Sequence, residues 1–426
     1  EAELKDCIFT TEGLSTFVTY WMRGGKLDIG KIAKDETFHL QSTVNGTLNT
    51  MVVNPVLSSR VGLLTGKDIR IDNILNKDQP ITLSGKITTK DLDVGKFMET
   101  DLLGKTSLTL VAEAAFGGKE LPIKAKINQL DIQRLNFYGY DYTDIIGEAE
   151  ISNRTIDGYL ACNDPNLNFV TEGHYGISRR QEDKKYDFYV VVGDADLNKI
   201  NLDKRGKSKT RFRLDANFTK TTTNNIYGEI KVVNLWLENS AGAYNIGDIL
   251  INSTNSYNKY KILIESSFAN GDLTGNAPAT EFIKDLLGLT MKTELPALFV
   301  DPTFEWSNHK YMLNLTLSNT QDILAWAVPG MFIADSTTLE GSISEKGRLT
   351  ATLTSQRIAH QKQYLKDIKL KVNNNKSAIN GKLTGSEAKV ATIKFMDNEV
   401  EFLAEDNHIG VSYKYENDTD LANKGE

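Results

Sequence analysis

The sequence predicts an all-β protein with a few short helices, and three observations carry that prediction. Apolar and polar residues alternate with a period of two along most of the 426 residues. Thr and Asn are abundant against only 8 Pro, a balance that suits the wet face of strands and the turns between them. Helical spacing is confined to two short stretches.

The strands are one-sided. In "LPIKAKINQL", Ile123, Ala125 and Ile127 share one face and Lys124 and Lys126 the other. "LNFVTEGHYGI" places Leu167 and Phe169 on one parity, with Asn166, Asn168, Glu172 and His174 on the other. "TRFRLDANFT" sets Phe212, Leu214, Ala216 and Phe218 against Arg213, Asp215 and Asn217. Leu313 and Leu315, then Leu349 and Leu353, Ile368 and Leu370, and Ile409 and Val411 repeat the pattern in four later segments. In Phe188 to Val192 both parities are apolar, so the inward face is open there. Asn270-Gly271 and Asn373 to Lys376 read as turns. "NAPATEFIKDLLG" predicts a helix that presents Phe282, Ile283, Leu286 and Leu287 and stops at Gly288. "NTQDILAWAVPG" predicts another, ended by Pro329-Gly330. Two helices this short do not cover the apolar face of such a sheet.

Two elements recur. Asp-Ile, read as a strand opener, stands at Asp68, Asp144, Asp248 and Asp367. A Leu-Asp/Asn turn followed by Lys stands in "KLDIGKI", "DLDVGKF" and "DLNKINL", and Gly-bearing returns in "LSGKI", "IDGYL" and "INGKL". Together they divide residues 1–426 into four approximate units, 1–90, 91–195, 196–316 and 317–426, in a loose array.

A net charge of −7 and a pI near 5.5 argue against a nucleic-acid binder. The one basic stretch, "KRGKSKTRFR", reads as a charged turn entering a strand with a polar outer face. Two cysteines, Cys7 and Cys162, do not make a disulfide framework, and no apolar run is long enough to span a membrane as a helix. The opening "EAELKDCIFT" is not a signal peptide.

No segment has the spacing of a catalytic or metal motif, so the expectation is a non-enzyme without cofactor or metal. The five histidines stand apart from Cys, Asp and Glu at ligand spacing. "GLLTGKD" lacks the spacing and the Ser/Thr of a phosphate loop. The pairs Asp91/Asp93 and Asp194/Asp196 fall in the recurring Leu-Asp element and read as turn residues. What remains is the apolar face, which packs on a second sheet or curls around a dry groove. Ile123, Ala125, Ile127, Leu167, Phe169, Phe212, Leu214, Leu313, Leu315, Leu349, Leu353, Ile368, Leu370, Ile409 and Val411 are its candidate lining. A groove of that kind suits lipids, because burying a sixteen-carbon chain is worth on the order of 12 kcal/mol.

Several segments carry a family resemblance: "LDVGKFMETDLLGKTSLTLVAEA", the long stretch from "KINQLDIQRLNFYGYDYTDIIGEAE" through "TEGHYGI", "YDFYVVVGDADLNKINL", "ELPALF", "ILAWAVPGMFIADSTTLEGSISEKGRLTATLTSQRIA" and "VEFLAEDNHIGVSYKYEND". In their order they resemble TamB (translocation and assembly module) proteins of the Bacteroides type, within the AsmA-like superfamily. The resemblance implies an elongated, taco-like curled sheet of repeating β-groove units with an apolar interior. It further implies a periplasmic protein of a Gram-negative bacterium, anchored to the inner membrane, that conducts phospholipid to the outer membrane. Cooperation with a TamA-like outer-membrane barrel belongs to the same expectation. Against that family pattern the N-terminal anchor and the barrel-facing C-terminal domain are missing, which makes this chain an interior section. The alternative is a scaffold that offers sheet edges to nascent outer-membrane strands by β-augmentation. A barrel reading lacks aromatic girdles, and a polysaccharide lyase lacks a carboxylate cluster.

Overall fold

A computed structural model of the chain describes residues 1–13, 16, 36–76, 78–98, 100–116, 124–152, 155–177, 183–221, 225–257, 259–292, 294–298, 307–374, 378–417 and 424–425. The protein is all β with a few short helices, as the alternation predicts. Contacts divide it into two compact units, Glu1–Arg213 and Leu214–Glu426.

The first unit holds β1 (Ala2–Thr10), β2 (Thr37–Gly46), β3 (Thr50–Ser59), β4 (Gly62–Asp72), β5 (Ile81–Asp93), helix α1 (Val94–Met98), β6 (Leu103–Phe116), β7 (Lys124–Phe137), β8 (Tyr140–Tyr142), β9 (Ile145–Ser152), β10 (Thr155–Asp164), β11 (Leu167–Gly176) and β12 (Lys184–Asp196). Each strand pairs antiparallel with the next, except that β7 pairs with both β8 and β9. Strand β13 (Ser208–Lys220) carries the boundary.

The second unit continues with β14 (Ile226–Asn239), β15 (Ala243–Ser256), β16 (Lys259–Ser266), β17 (Ala269–Gly275), α2 (Ala279–Leu287), β18 (Tyr311–Leu317), α3 (Gln321–Ala327), β19 (Met331–Ile333), β20 (Thr337–Ile343), β21 (Leu349–His360), β22 (Gln363–Asn374), β23 (Ile379–Val390), β24 (Ile393–Glu405), β25 (His408–Asn417) and β26 (Lys424–Gly425). From β14 the ladder is again antiparallel between neighbours; β18 reaches past β19 to β20, and β19 pairs with β21.

The strands are kinked at recurring places. Among the described residues, six non-glycine positions inside strands have left-handed backbones: Asp6, Asp68, Asp91, Asn234, Asp367 and Asp397, with φ of 52°, 52°, 49°, 52°, 48° and 46°. Asp and Asn tolerate that region better than other side chains, because they hydrogen-bond locally. At five of the six the ladder register is broken, as a β-bulge requires. At three of them the N–H that loses its ladder partner finds a side chain on the neighbouring strand. Asp68 donates to Asn54 Oδ1 at 2.8 Å, Asp91 to Ser107 Oγ at 3.0 Å and Asn234 to Asp248 Oδ1 at 2.9 Å.

Each kink flips strand parity, and the sequence shifts its apolar stripe to match. In β4, Leu64 and Gly66 share a face with Ile69 and Ile71, although the two pairs have opposite parity. The residue after the kink turns inward and is buried in Ile69, Ile368 and Asn398. This corrects the expectation that Asp-Ile opens strands. Only Asp144 precedes a strand; Asp68 and Asp367 are kinks within β4 and β22, and Asp248 is the acceptor opposite the kink at Asn234.

Other readings change for similar reasons. Asn270-Gly271 lies inside β17, where Gly271 pairs with Leu315; a Cβ there would stand 2.3 Å from the Asn314 carbonyl oxygen, so glycine serves close packing. The glycines of "LSGKI", "IDGYL" and "INGKL" sit within β5, β10 and β23 rather than in returns. Helix α2 does not stop at Gly288, whose backbone is right-handed helical and continues as a π-helical turn, Gly288–Lys292. Asn373 and Asn374 end β22, while residues 375–377 lie outside the described residues.

The Leu-Asp element is a turn in both copies the structure describes. Asp93 Oδ1 accepts from the Lys96 N–H and Asp196 Oδ1 from the Lys199 N–H, each at 3.2 Å. "KLDIGKI" lies outside the described residues.

Candidate apolar groove

Residues paired across neighbouring strands share a face, so the registers can be followed from strand to strand. In the second unit this yields a ladder with one apolar rung per strand: Leu315, Leu339, Leu353, Leu370, Leu383, Val400 and Tyr413. Through Gly271 it continues to Ile264, Ile251 and Ile230. Eleven strands at their usual separation make a band of about 48 Å along the ladder. The first unit has its own band, Gly66, Ile87, Leu110, Leu130, Gly147, Leu160, Thr171 and Val190.

Burial differs across the strand direction. Every rung of the second unit's ladder is half-buried. Four residues along each strand, at one rim, Tyr311, Ile343, Leu349, Ile379 and Ala404 are buried. They are buried because the chain between β17 and β18 lies on them. Phe282 and Leu286 of α2, with Leu289, pack on Tyr311, Ile343 and Leu349, and Leu295 packs on Ile379 and Ala404. Phe282 meets the Tyr311 ring edge-on at 5.2 Å between centroids. Ala297 N–H donates to Asn407 Oδ1 at 2.7 Å, and Asn407 N–H to the Glu294 carbonyl at 2.9 Å. Short helices therefore cap a rim and leave the middle of the face uncovered among the described residues.

The cap is pinned by Asp285, a fully buried carboxylate on α2. It accepts from Tyr311 Oη at 2.6 Å, from the Ser307 N–H at 2.9 Å, and lies 2.8 Å from His309 Nδ1. Burial, and then the Asp285 carboxylate, push the Tyr311 phenol far above its ordinary value, so it stays protonated and donates. At the same rim burial, then Asp406 and Glu405, raise Glu294.

The first unit closes one rim with the Leu-Asp turn that follows β12. Leu197 and the buried Ile200 pack on Tyr142, Ile145 and Cys162, with Leu167 and Phe169 against the same cluster. Asp164 holds the strand ends together: it accepts from Tyr140 Oη at 2.7 Å, the Thr143 N–H at 3.0 Å and the Asn166 N–H at 2.8 Å. Burial raises its pKa, and the bonds from Tyr140, Asn166 and Thr143 outweigh that, leaving it below its ordinary value of 3.8. A depressed carboxylate gives stability that is present above the unfolded value and lost as pH falls through the folded one. Asp164→Asn is expected to destabilise the protein near neutrality and to flatten its acid unfolding between about pH 5 and pH 2. Circular dichroism across that range checks it; an unchanged acid limb would count against Asp164 as its source.

Most of the sequence-predicted lining lies on these faces. Ala125 and Ile127 pair with Ile151 and Ala149, and Phe169 with Cys162 and Val192. Leu313, Leu315, Leu349, Leu353, Ile368 and Leu370 share the second unit's inner face. Ile409 and Val411 are on that face too, but 55% and 66% exposed on β25. Phe212 and Leu214 are half-buried on either side of the unit boundary. Ile123 lies outside the described residues. The ambiguous Phe188 to Val192 resolves: Phe188, Val190 and Val192 face in with Gly173, Thr171 and Phe169. Tyr189 faces out, donating to Glu172 at 2.9 Å beneath the Arg213 guanidinium.

The motifs set aside on spacing have structural places. "GLLTGKD" lies within β4. In the basic stretch Arg205 pairs with Asp203 at 2.7 Å and Arg211 with Asp194 at 3.6 Å. Among the described residues no group of His, Cys, Asp and Glu is arranged to hold a metal ion, and no helix is long and apolar enough to cross a membrane. Both cysteines are free, and burial raises the Cys162 thiol.

Sequence missed the cavities that the fold builds, two of them apolar and in the second unit. One, of about 210 Å³, lies between Phe218, Ile230, Ile251, Ile262, Leu273 and the start of α2. A second, more open, of about 700 Å³, lies at the uncapped end of β21 to β25. Neither was legible, because each depends on register and on where kinks turn a strand. Comparison with family models, with curated proteins and with solved structures finds no match.

Proposed function

We propose that this chain is a section of a passive, non-enzymatic lipid conduit, and that its apolar ladder carries acyl chains. The observation that supports this most is the half-buried band of one apolar rung per strand, flanked by a rim that is fully buried. A face meant only as core is covered along its whole length; among the described residues this one is covered at a rim. Each contact with a methylene contributes about 0.8 kcal/mol and none is directional, so a chain is held without being fixed in place. The resemblance to TamB-type proteins extends the proposal to a periplasmic bridge that moves phospholipid between inner and outer membranes alongside a TamA-like barrel.

The test is native mass spectrometry of the protein after incubation with phospholipid vesicles. Retained phospholipid, crosslinked from photoreactive residues at Leu353 or Leu383, is the expected result. A protein that retains none, and instead crosslinks nascent outer-membrane strands along its sheet edges, would replace the conduit with the β-augmentation scaffold.

A further inference from the structure

The two rims of the second unit differ in charge and in cover. The capped rim gathers Glu294, Glu405 and Asp406, and burial first, then the two neighbouring acids, raises Glu294. Among the described residues no helix lines the cavity at the opposite rim, formed by Ile358, Leu365, Ala388, Phe395 and Tyr413. His360 and Lys389 also line that cavity, and Lys362 stands in the turn between β21 and β22. Among the described residues neither Lys362 nor Lys389 is paired with an acid. Glu387, by contrast, is already held by Lys366 at 2.8 Å, with Lys394 at 3.8 Å.

The turn from β23 to β24 adds an independent observation. Its sequence, "KVATIK", sets Lys389 and Lys394 around Val390 and Ile393. Val390 and Ile393 pair with each other and are 52% and 57% exposed. They have the parity of Ala388 and Phe395, so they continue the cavity's apolar wall beyond the sheet. Exposed apolar residues flanked by lysines are what an anionic lipid surface recognises: side chains enter the acyl boundary and cations meet the headgroups.

We infer that this open rim is a loading port selective for anionic phospholipid, with the tail in the cavity and the phosphate-bearing head at Lys362 and Lys389. The inference rests on the conduit reading and adds to it a point of entry and a charge class of cargo.

The experiment offers the whole chain vesicles of phosphatidylglycerol or of phosphatidylcholine and quantifies retained lipid. The expected result is preferential loading of phosphatidylglycerol, which falls by roughly fivefold for each lysine neutralised in K362Q/K389Q. Phosphatidylcholine loading is expected to stay level in that variant, and K362R/K389R to load as wild type does. Equal loading of the two lipids by the wild type, or full phosphatidylglycerol loading by K362Q/K389Q, would overturn the port and leave the conduit standing. Loading of neither lipid would overturn both. Glycerol 3-phosphate, a head without tails, is expected not to compete; effective competition would make the site one for free phosphate esters and overturn the lipid port.

Discussion

Asp285→Ala is expected to destabilise the second unit by about 3–5 kcal/mol, the scale on which an isolated break in a buried charged network acts. The carboxylate is fully buried and serves the Tyr311 hydroxyl, the His309 ring and the Ser307 N–H at once. Removing it leaves the Tyr311 hydroxyl and a backbone donor unsatisfied, and opens a cavity beneath α2. Tyr311→Phe keeps the ring against Phe282 and loses one bond, so it is expected to cost only about 1–3 kcal/mol. Denaturant midpoints of the two variants check the order. If Asp285→Ala unfolds at the wild-type midpoint, the cap is not anchored as described.

The second large effect falls on ligand rather than on fold. Leu315→Asp combined with Leu370→Asp is expected to lower retained phospholipid by about four orders of magnitude, since each carboxylate set among acyl chains costs about 3 kcal/mol. The two rungs are three strands apart and half-buried, so each carboxylate keeps access to water in the empty protein. A melting temperature close to wild type is therefore expected alongside the loss. Leu349→Asp, at the buried rim, is expected to unfold the protein instead. Retention of lipid at wild-type levels by the double ladder variant would exclude the band as the binding surface.

Much of the fold is legible in the sequence where strands are short enough to escape a kink. Leu313 and Leu315 in β18 read correctly from alternation alone, as does the Lys124/Lys126 face of β7. Where a kink intervenes, alternation breaks without the strand ending, and a local reading takes Asp68-Ile69 for a boundary. The signal was present: Asp or Asn before an apolar residue, recurring inside apolar stripes, is what a left-handed position with an inward successor requires. Asn270-Gly271 misleads for another reason, because the dipeptide fits a hairpin turn and here answers to the close approach of Leu315. The ladder itself was out of reach. Its members were individually identifiable as apolar, but which leucine sits beside which is set by pairing registers that no local window contains.

On the conduit we propose, the near-equivalence of successive rungs has a kinetic meaning. An acyl chain that shifts by one strand along Leu339, Leu353, Leu370 and Leu383 exchanges one leucine for another and meets almost the same surface. The free-energy profile along that path is close to level, with barriers set by side-chain rotamer exchange rather than by bond breaking. Cargo on such a track performs a one-dimensional random walk, whose transit time rises with the square of the number of strands and favours neither end. Under that proposal a net current would follow from unequal occupancy at the two ends of the ladder, and the number of strands, more than the identity of any rung, would set throughput.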